Sequence, residues 1–179
     1  QKAIEYTRQH GLAPIVSLQA KYNLLVRSTE WELLPTCRRE GLGLMAWSPL
    51  NGGWLSGRYT RSMAGPPAES RVDQAAREGW FEAWENYNTE HTWDVIEALF
   101  DVAGKVEHTP AQVALSWLLQ TPGVTCPIVG ARKMQHLEDN LKAAELTLPE
   151  ELKEKLDKES AVPLPYPYDF LSQMAGGLE

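Results

Sequence analysis

The apolar positions change period several times along the chain, and each change marks an element. Residues 42–47, Leu-Gly-Leu-Met-Ala-Trp, form a short apolar run closed by Pro49 and by Gly52 and Gly53. This predicts a buried strand that delivers its last residues into a loop, so a site is expected at that strand's carboxyl end. Upstream, residues 1–10 read as the end of a helix, with Ala3 and Ile4 apolar and His10-Gly11 as the stop. Residues 14–20 follow as a strand, from their β-branched content and length. Thr29 and Glu32 have the spacing of a capping box ahead of Leu33, Leu34 and Cys37, and Gly41 ends that helix. Helix, strand, helix, strand is the order expected of a parallel sheet with helical crossovers.

Residues 60–79, rich in Gly, Pro, Ser and charge, read as a long loop, either a functional lid or a disordered segment. Trp93, Ile96, Leu99 and Phe100 fall at helical spacing, and that helix runs to about Lys105. Thr109-Pro110-Ala111-Gln112 is a second capping box, opening a helix through Leu119 that Pro122-Gly123 breaks. Residues 126–129 then read as a third strand, Gly130-Ala131 as a turn, and Met134, Leu137 and Leu141 as one face of a helix. Thr147-x-x-Glu150 predicts the cap of a further helix carrying Leu152 and Leu156. Proline spacing holds residues 163–170 extended. The expected organisation is one α/β unit over residues 1–162 and an extended tail over 163–179, with no internal repeat.

Composition narrows the partners. The chain has 179 residues, a formal net charge of -7, 43% hydrophobic residues and two cysteines, which fits one mildly acidic globular unit. Arg38-Arg39 is the longest basic feature, so nucleic acid is not an expected partner. Cys37 and Cys126 have neither metal spacing nor a disulfide framework, and the four histidines do not pair at ligand spacing. No apolar run approaches a membrane span and no signal peptide precedes the first helix, so a cytoplasmic protein is expected. Gln1 opens directly onto a helical pattern without an initiator Met, as in a chain entered partway through a fold.

Two constellations carry chemistry. The loop after Trp47 offers an aromatic face, the Ser48 hydroxyl, close backbone approach at Gly52 and Gly53, and the Arg58 cation. Those groups can hold a ring and a phosphate. The second is Pro127-Ile-Val-Gly-Ala-Arg132, where a strand ending in Gly130-Ala131 before a helix presents amides to an anion and Arg132 adds a charge. Without further context an ordinary βα turn has the same residues. On spacing alone Gln19 is a polar residue near a strand end and Arg71 a solvated charge.

Trp47-Ser48-Pro49-Leu50, followed by Ser56-Gly57-Arg58-Tyr59, resembles the seventh strand and following loop of the aldo-keto reductases. Within that family it looks most like the branch that includes potassium-channel β-subunits and many bacterial carbonyl reductases. The resemblance implies that Trp47 stacks on the nicotinamide of NADP(H), that Ser48, Pro49, Leu50, Asn51 and Gly52 follow the pyrophosphate, and that Arg58 approaches the phosphates. Gly130, Ala131 and Arg132 resemble the family's eighth-strand turn, which binds the 2′-phosphate of NADPH. The helix positions matching His136, Asp139 and Asn140 contact the adenosine end in that family. His136 stands where Gln or Arg is more usual, and Asp139 where Glu is. Gln19 resembles the sixth-strand Gln that bonds the nicotinamide carboxamide, and Arg71 the loop arginine that folds over the pyrophosphate.

The fold so implied is the carboxyl-terminal part, about three β/α units plus a tail, of a (β/α)8 barrel. In the family the catalytic Tyr, Lys, Asp and His lie on the first four strands, so this chain alone is expected to be inactive. A small-molecule carbonyl is the expected substrate of the completed protein. Tyr22, Tyr59, Tyr166 and Tyr168 do not match the catalytic phenol's position. A three-strand arc also leaves unpaired edges, so completion by an amino-terminal half or self-association is expected. Two functions stay open: the NADP(H)-binding portion of an aldehyde or ketone reductase, and a non-catalytic scaffold or binding protein derived from that family.

Overall fold

A computed structural model describes residues 1–174. In chain order the elements are α1 (Lys2–Gln9), β1 (Ser17–Lys21), α2 (Leu33–Glu40), β2 (Gly43–Trp47), α3 (Arg71–Glu78), α4 (Trp84–Tyr87), α5 (Glu90–Val106), α6 (Pro110–Leu119), β3 (Val124–Pro127), α7 (Met134–Leu141), α8 (Glu150–Glu159) and α9 (Tyr168–Met174). Short 3-10 turns cover Ser28–Glu30, Asn51–Ser56 and Lys142–Ala144. The fold is α/β, with one three-stranded parallel sheet in the order β1-β2-β3. The apolar run at residues 43–47 is therefore the central strand.

Register places Leu18 against Leu44, Gln19 against Met45, Ala20 against Ala46 and Lys21 against Trp47. Strand alternation then sorts the side chains by face. Ala20, Leu44 and Ala46 are buried in the helix-covered core, while Gln19 is exposed and Trp47 is 38% exposed on the other face. β3 joins β2 through an irregular register between Leu44 and Met45. A side chain on Gly43 would come within 2.6 Å of the Thr125 hydroxyl. Glycine there leaves room for the Thr125 side chain, and β3 runs from Val124 to Pro127, two residues earlier than the stretch 126–129 expected from the sequence.

Four expectations need correction. Residues 60–79 are not all loop: Ser70 caps α3 by accepting from the Asp73 amide at 3.1 Å, and Gly79 closes it in the left-handed conformation. Charge on the exposed side hid this helix, whose buried contacts are only Val72 and Ala75. Thr29 caps no helix, because it lies in the turn Ser28–Glu30 and donates to the Lys21 carbonyl. Thr147 does not cap α8 either; Pro149 precedes that helix, and the Leu148 amide is held by the Gln120 side chain. The tail leaves its extended path at α9, where the Tyr168 hydroxyl donates to Glu32. Residues 175–179 of the expected tail lie outside the described residues.

The core joins the sheet to the helices through aromatic packing and one polar knot. Trp54 is fully buried and packs against Tyr59, Trp84, Tyr87 and Trp93 at centroid distances of 5.1–5.8 Å. At the far side Trp117, also fully buried, donates to Asp157 at 2.8 Å. The Arg27 guanidinium lies 5.4 Å from the Trp117 ring centroid and bonds Glu30, the Asp157 carbonyl and the Ser160 hydroxyl. One cation thus fastens α8 to the segment after β1. Breaking a largely desolvated pair by removing one partner costs about 3 to 5 kcal/mol. Arg27→Ala is therefore expected to lower the urea midpoint by that order of stability, with exchange protection in α8 lost first; a change below 1 kcal/mol would show that the knot holds little.

Candidate functional site

Parallel pairing brings the carboxyl ends of all three strands to one edge of the sheet, and most of the chemistry-bearing residues lie along it. β2 ends at Trp47, and the chain turns at once through Ser48 and Asn51, both at positive φ (51° and 47°). The turn is locked by Asn23, whose side-chain amide donates to the Ser48 carbonyl at 2.9 Å. Gly52 and Gly53 follow, also at positive φ. A side chain at Gly52 would meet the Glu82 methylenes at 2.7 Å, so glycine is required for close passage as well as for conformation. Pro49 is buried and Leu50 half-buried, and both serve the turn's packing.

Asn51 is fully buried, and although its backbone amide donates to the Ser48 carbonyl at 2.9 Å, its side-chain Nδ2 and Oδ1 have no hydrogen-bond partner among the described residues. An unpaired buried amide costs about 1 to 3 kcal/mol, so this turn carries unused polar capacity.

Next to it, the chain leaves β3 through residues 128–133 into α7. The Ile128 amide still bonds the Ala46 carbonyl at 2.8 Å, which holds this segment to the mouth of β2. Beyond it, the amides of residues 129–133 donate to no acceptor among the described residues. Space around Gly130 is open to 4 Å, and Ala131, Arg132 and His136 are exposed. Arg132 and Arg58 form no ion pair among the described residues. Free amides, an exposed guanidinium and a helix start form a surface suited to an anion.

Other expected site residues are placed differently. Arg71 is exposed in the first turn of α3 and lies 4.3 Å from the Trp80 ring centroid. Asp139 accepts from the Gln112 amide at 2.8 Å and from the Thr109 hydroxyl at 3.3 Å, so its carboxylate seats α7 on the capping box of α6. It also lines an open groove of about 800 Å³ with Ser56, Gly57, His108 and Thr109. Asn140 is half-buried on α7. Gln19 lies opposite Met45, on the same helix-free face of the sheet as Trp47 and one pair before it.

The structure adds two residues that sequence reading missed, Lys21 and Glu82. Lys21 ends β1 opposite Trp47, and its ammonium is 3.1 Å from Glu82 and 5.5 Å from the Trp47 ring centroid. Glu82 also accepts from the Ser48 hydroxyl at 3.3 Å, while its backbone carbonyl accepts from the Trp54 indole at 2.9 Å. Burial pushes the Glu82 carboxyl up, but the Lys21 hydrogen bond and charge, with the Ser48 hydroxyl, outweigh it and hold the group below its ordinary range. Sixty-one positions separate the two residues, so no local pattern could pair them. By contrast the Tyr22 phenol, pushed up by burial and by the Glu30 carboxylate it donates to, stays protonated and bound to that partner.

Comparison with known proteins supplies an independent view. The model of the aldo/keto reductase family matches residues 1–160. An uncharacterised oxidoreductase of Bacillus subtilis, YrpG, is 37% identical over 138 residues, covering 77% of this chain and 38% of that protein. Norsolorinic acid reductase B of Dothistroma septosporum is 30% identical over 171 residues, covering 96% of this chain and 41% of that protein. The chain spans about two fifths of the length of these relatives. Among the described residues no helix is long and apolar enough to cross a membrane, and no cluster could hold a metal ion.

The lowered Glu82 carboxyl has a consequence for acid stability. A depressed folded-state pKa contributes stability above the unfolded value of about 4.3, and that contribution fades as pH falls through the folded value. Glu82→Gln is therefore expected to destabilise the protein at pH 7, with the deficit shrinking as pH falls below the ordinary carboxylate range. The check is denaturant unfolding at pH 7 and below that range; a deficit of equal size at each would mean that the carboxylate's charge is not what matters.

Proposed function

The chain belongs to the aldo/keto reductase family, and from that premise we propose that it is the NADP(H)-binding portion of an oxidoreductase that reduces aldehydes or ketones. In this reading the three β/α units form one arc of a (β/α)8 barrel, whose sites lie at the carboxyl ends of the strands. The observation that carries it is the meeting of two surfaces at the mouth of β2: an exposed Trp47 over a glycine turn, and the unbonded amides beside Arg132. The residues fit the cofactor. Trp47 presents a flat apolar face, and Gly53, whose missing side chain would meet only the Ser56 hydroxyl at 3.9 Å, leaves backbone open to a pyrophosphate. Gln19 would bond the carboxamide, since an amide both donates and accepts.

When bound, the dinucleotide supplies the hydride. This chain's residues would hold its ring against Trp47, exclude water on that side, and anchor the 2′-phosphate at Gly130, Ala131 and Arg132. Arg58 and Arg71 would approach the diphosphate from the turn and from α3, and His136 and Asn140 the adenosine, with Asp139 keeping α7 in place. The general acid for a carbonyl oxygen would come from the family's Tyr, Lys, Asp and His set, which the three strands described do not carry. Catalysis is thus assigned to the completed barrel.

Two substitutions test the reading. Aromatic stacking contributes roughly 0.5 to 1.5 kcal/mol beyond area burial, so Trp47→Ala should weaken NADPH binding by up to about tenfold in a fluorescence titration. A charge-assisted contact of about 1.5 to 3 kcal/mol predicts a roughly ten- to hundredfold preference for NADPH over NADH, and Arg132→Ala should erase most of it. Intact preference in the mutant would reject this turn as the phosphate site. A purified protein that binds neither dinucleotide would favour the non-catalytic alternative.

A further inference from the structure

Lys21 occupies the last position of β1, directly across from Trp47 at the end of β2, and alternation puts both side chains on the face away from the helices. Its ammonium lies 5.5 Å from the Trp47 ring centroid and 5.9 Å from that of Tyr87. The side chains of Lys21 and Glu82 are only 15% and 12% exposed, so water screens their charges weakly. The carboxylate is not placed by Lys21 alone. The Ser48 hydroxyl donates to it, Trp54 holds its backbone carbonyl, and Gly52 leaves room for its methylenes. Removing either partner therefore leaves the other charge in place beside Trp47.

The two redox forms of a nicotinamide differ by one charge at the ring: the oxidised ring is cationic and the reduced ring neutral. A charge near that ring favours one form over the other, whereas contacts to the phosphates or adenosine treat both alike. We propose that Lys21 and Glu82 are specificity-determining residues that set the relative affinity for oxidised and reduced cofactor, each offsetting the other's charge beside Trp47. This rests on the cofactor reading above. With the pair intact the local charges nearly cancel, and neither form is strongly penalised. Losing the carboxylate exposes an ammonium that repels the oxidised ring; losing the ammonium exposes a carboxylate that attracts it.

The test is the ratio of Kd for NADP+ to Kd for NADPH, measured by titration calorimetry at pH 8, where Glu82 stays ionised. It uses purified wild type, Glu82→Gln, Lys21→Met and the double variant. A unit charge about 8 Å away at an effective dielectric constant near 20 shifts affinity by roughly 3- to 30-fold. Glu82→Gln should raise the ratio by that order, Lys21→Met should lower it, and the double variant should return it toward wild type. Damage to the turn's shape alone would weaken both forms together and leave the ratio still. A ratio that stays at the wild-type value in either single variant, or moves the same way in both, overturns the proposal. If wild type binds neither form, the cofactor reading itself fails, and this inference falls with it.

Discussion

Parallel pairing of β1, β2 and β3 is the constraint on which the rest depends. Parallel strands end on the same edge, so chain segments far apart in sequence are delivered side by side there. The turn after Trp47, the turn after β3 and the end of β1 at Lys21 meet for this reason alone. The register is defended from the helix side, where Ala20, Leu44 and Ala46 are buried, since a slip by one residue would turn those side chains outward. It is defended between strands by Gly43, whose missing side chain admits Thr125.

The same edge is tied to the aromatic core by one residue. Glu82 uses its carbonyl to satisfy the indole of Trp54 and its carboxylate to hold Ser48 and Lys21. The aromatic cluster and the turn after Trp47 are therefore joined through one hydrogen-bonded residue. Elsewhere the long connection between β2 and α5 is pinned by Arg61, which bonds Glu90, Asp94 and Glu97 on one face of α5. Exposed charge networks of this kind contribute modestly to stability, but they give an otherwise irregular segment a defined course. The inner face of the sheet presents Gln19 and Trp47 to solvent, and parallel sheets are normally covered on both faces.

How much was legible depended on whether the signal was local. The capping box at Thr109 and Gln112 is present because both of its hydrogen bonds lie within four residues of each other. The left-handed stop at Gly41 and the apolar strand at 43–47 were readable for the same reason. Thr29 and Thr147 have equally good spacing and cap nothing, because tertiary partners claim the local donors and acceptors. Thr29 is taken by the Lys21 carbonyl, and the backbone ahead of α8 by Gln120. α3 reads as loop in the sequence because it is mostly charged and polar, with only Val72 and Ala75 buried, although those two lie on one side of a strongly two-faced helix.

The sequence by itself determined the α/β alternation, the count of three strands, the family, and the positions of the two turns that carry glycines and basic residues. The alternation and strand count follow from residue type over short spans, where backbone sterics and hydrophobic period act directly, and the family from the resemblance of two motifs taken together. Only the tertiary structure decided which polar groups are free and which are spent. It committed Asp139 to the start of α6, laid Arg71 on Trp80, left the Asn51 side chain buried without a partner, and set a Lys21–Glu82 pair beside Trp47. These outcomes depend on distances between segments many residues apart, fixed by sheet register and core packing, and no local pattern contains that information.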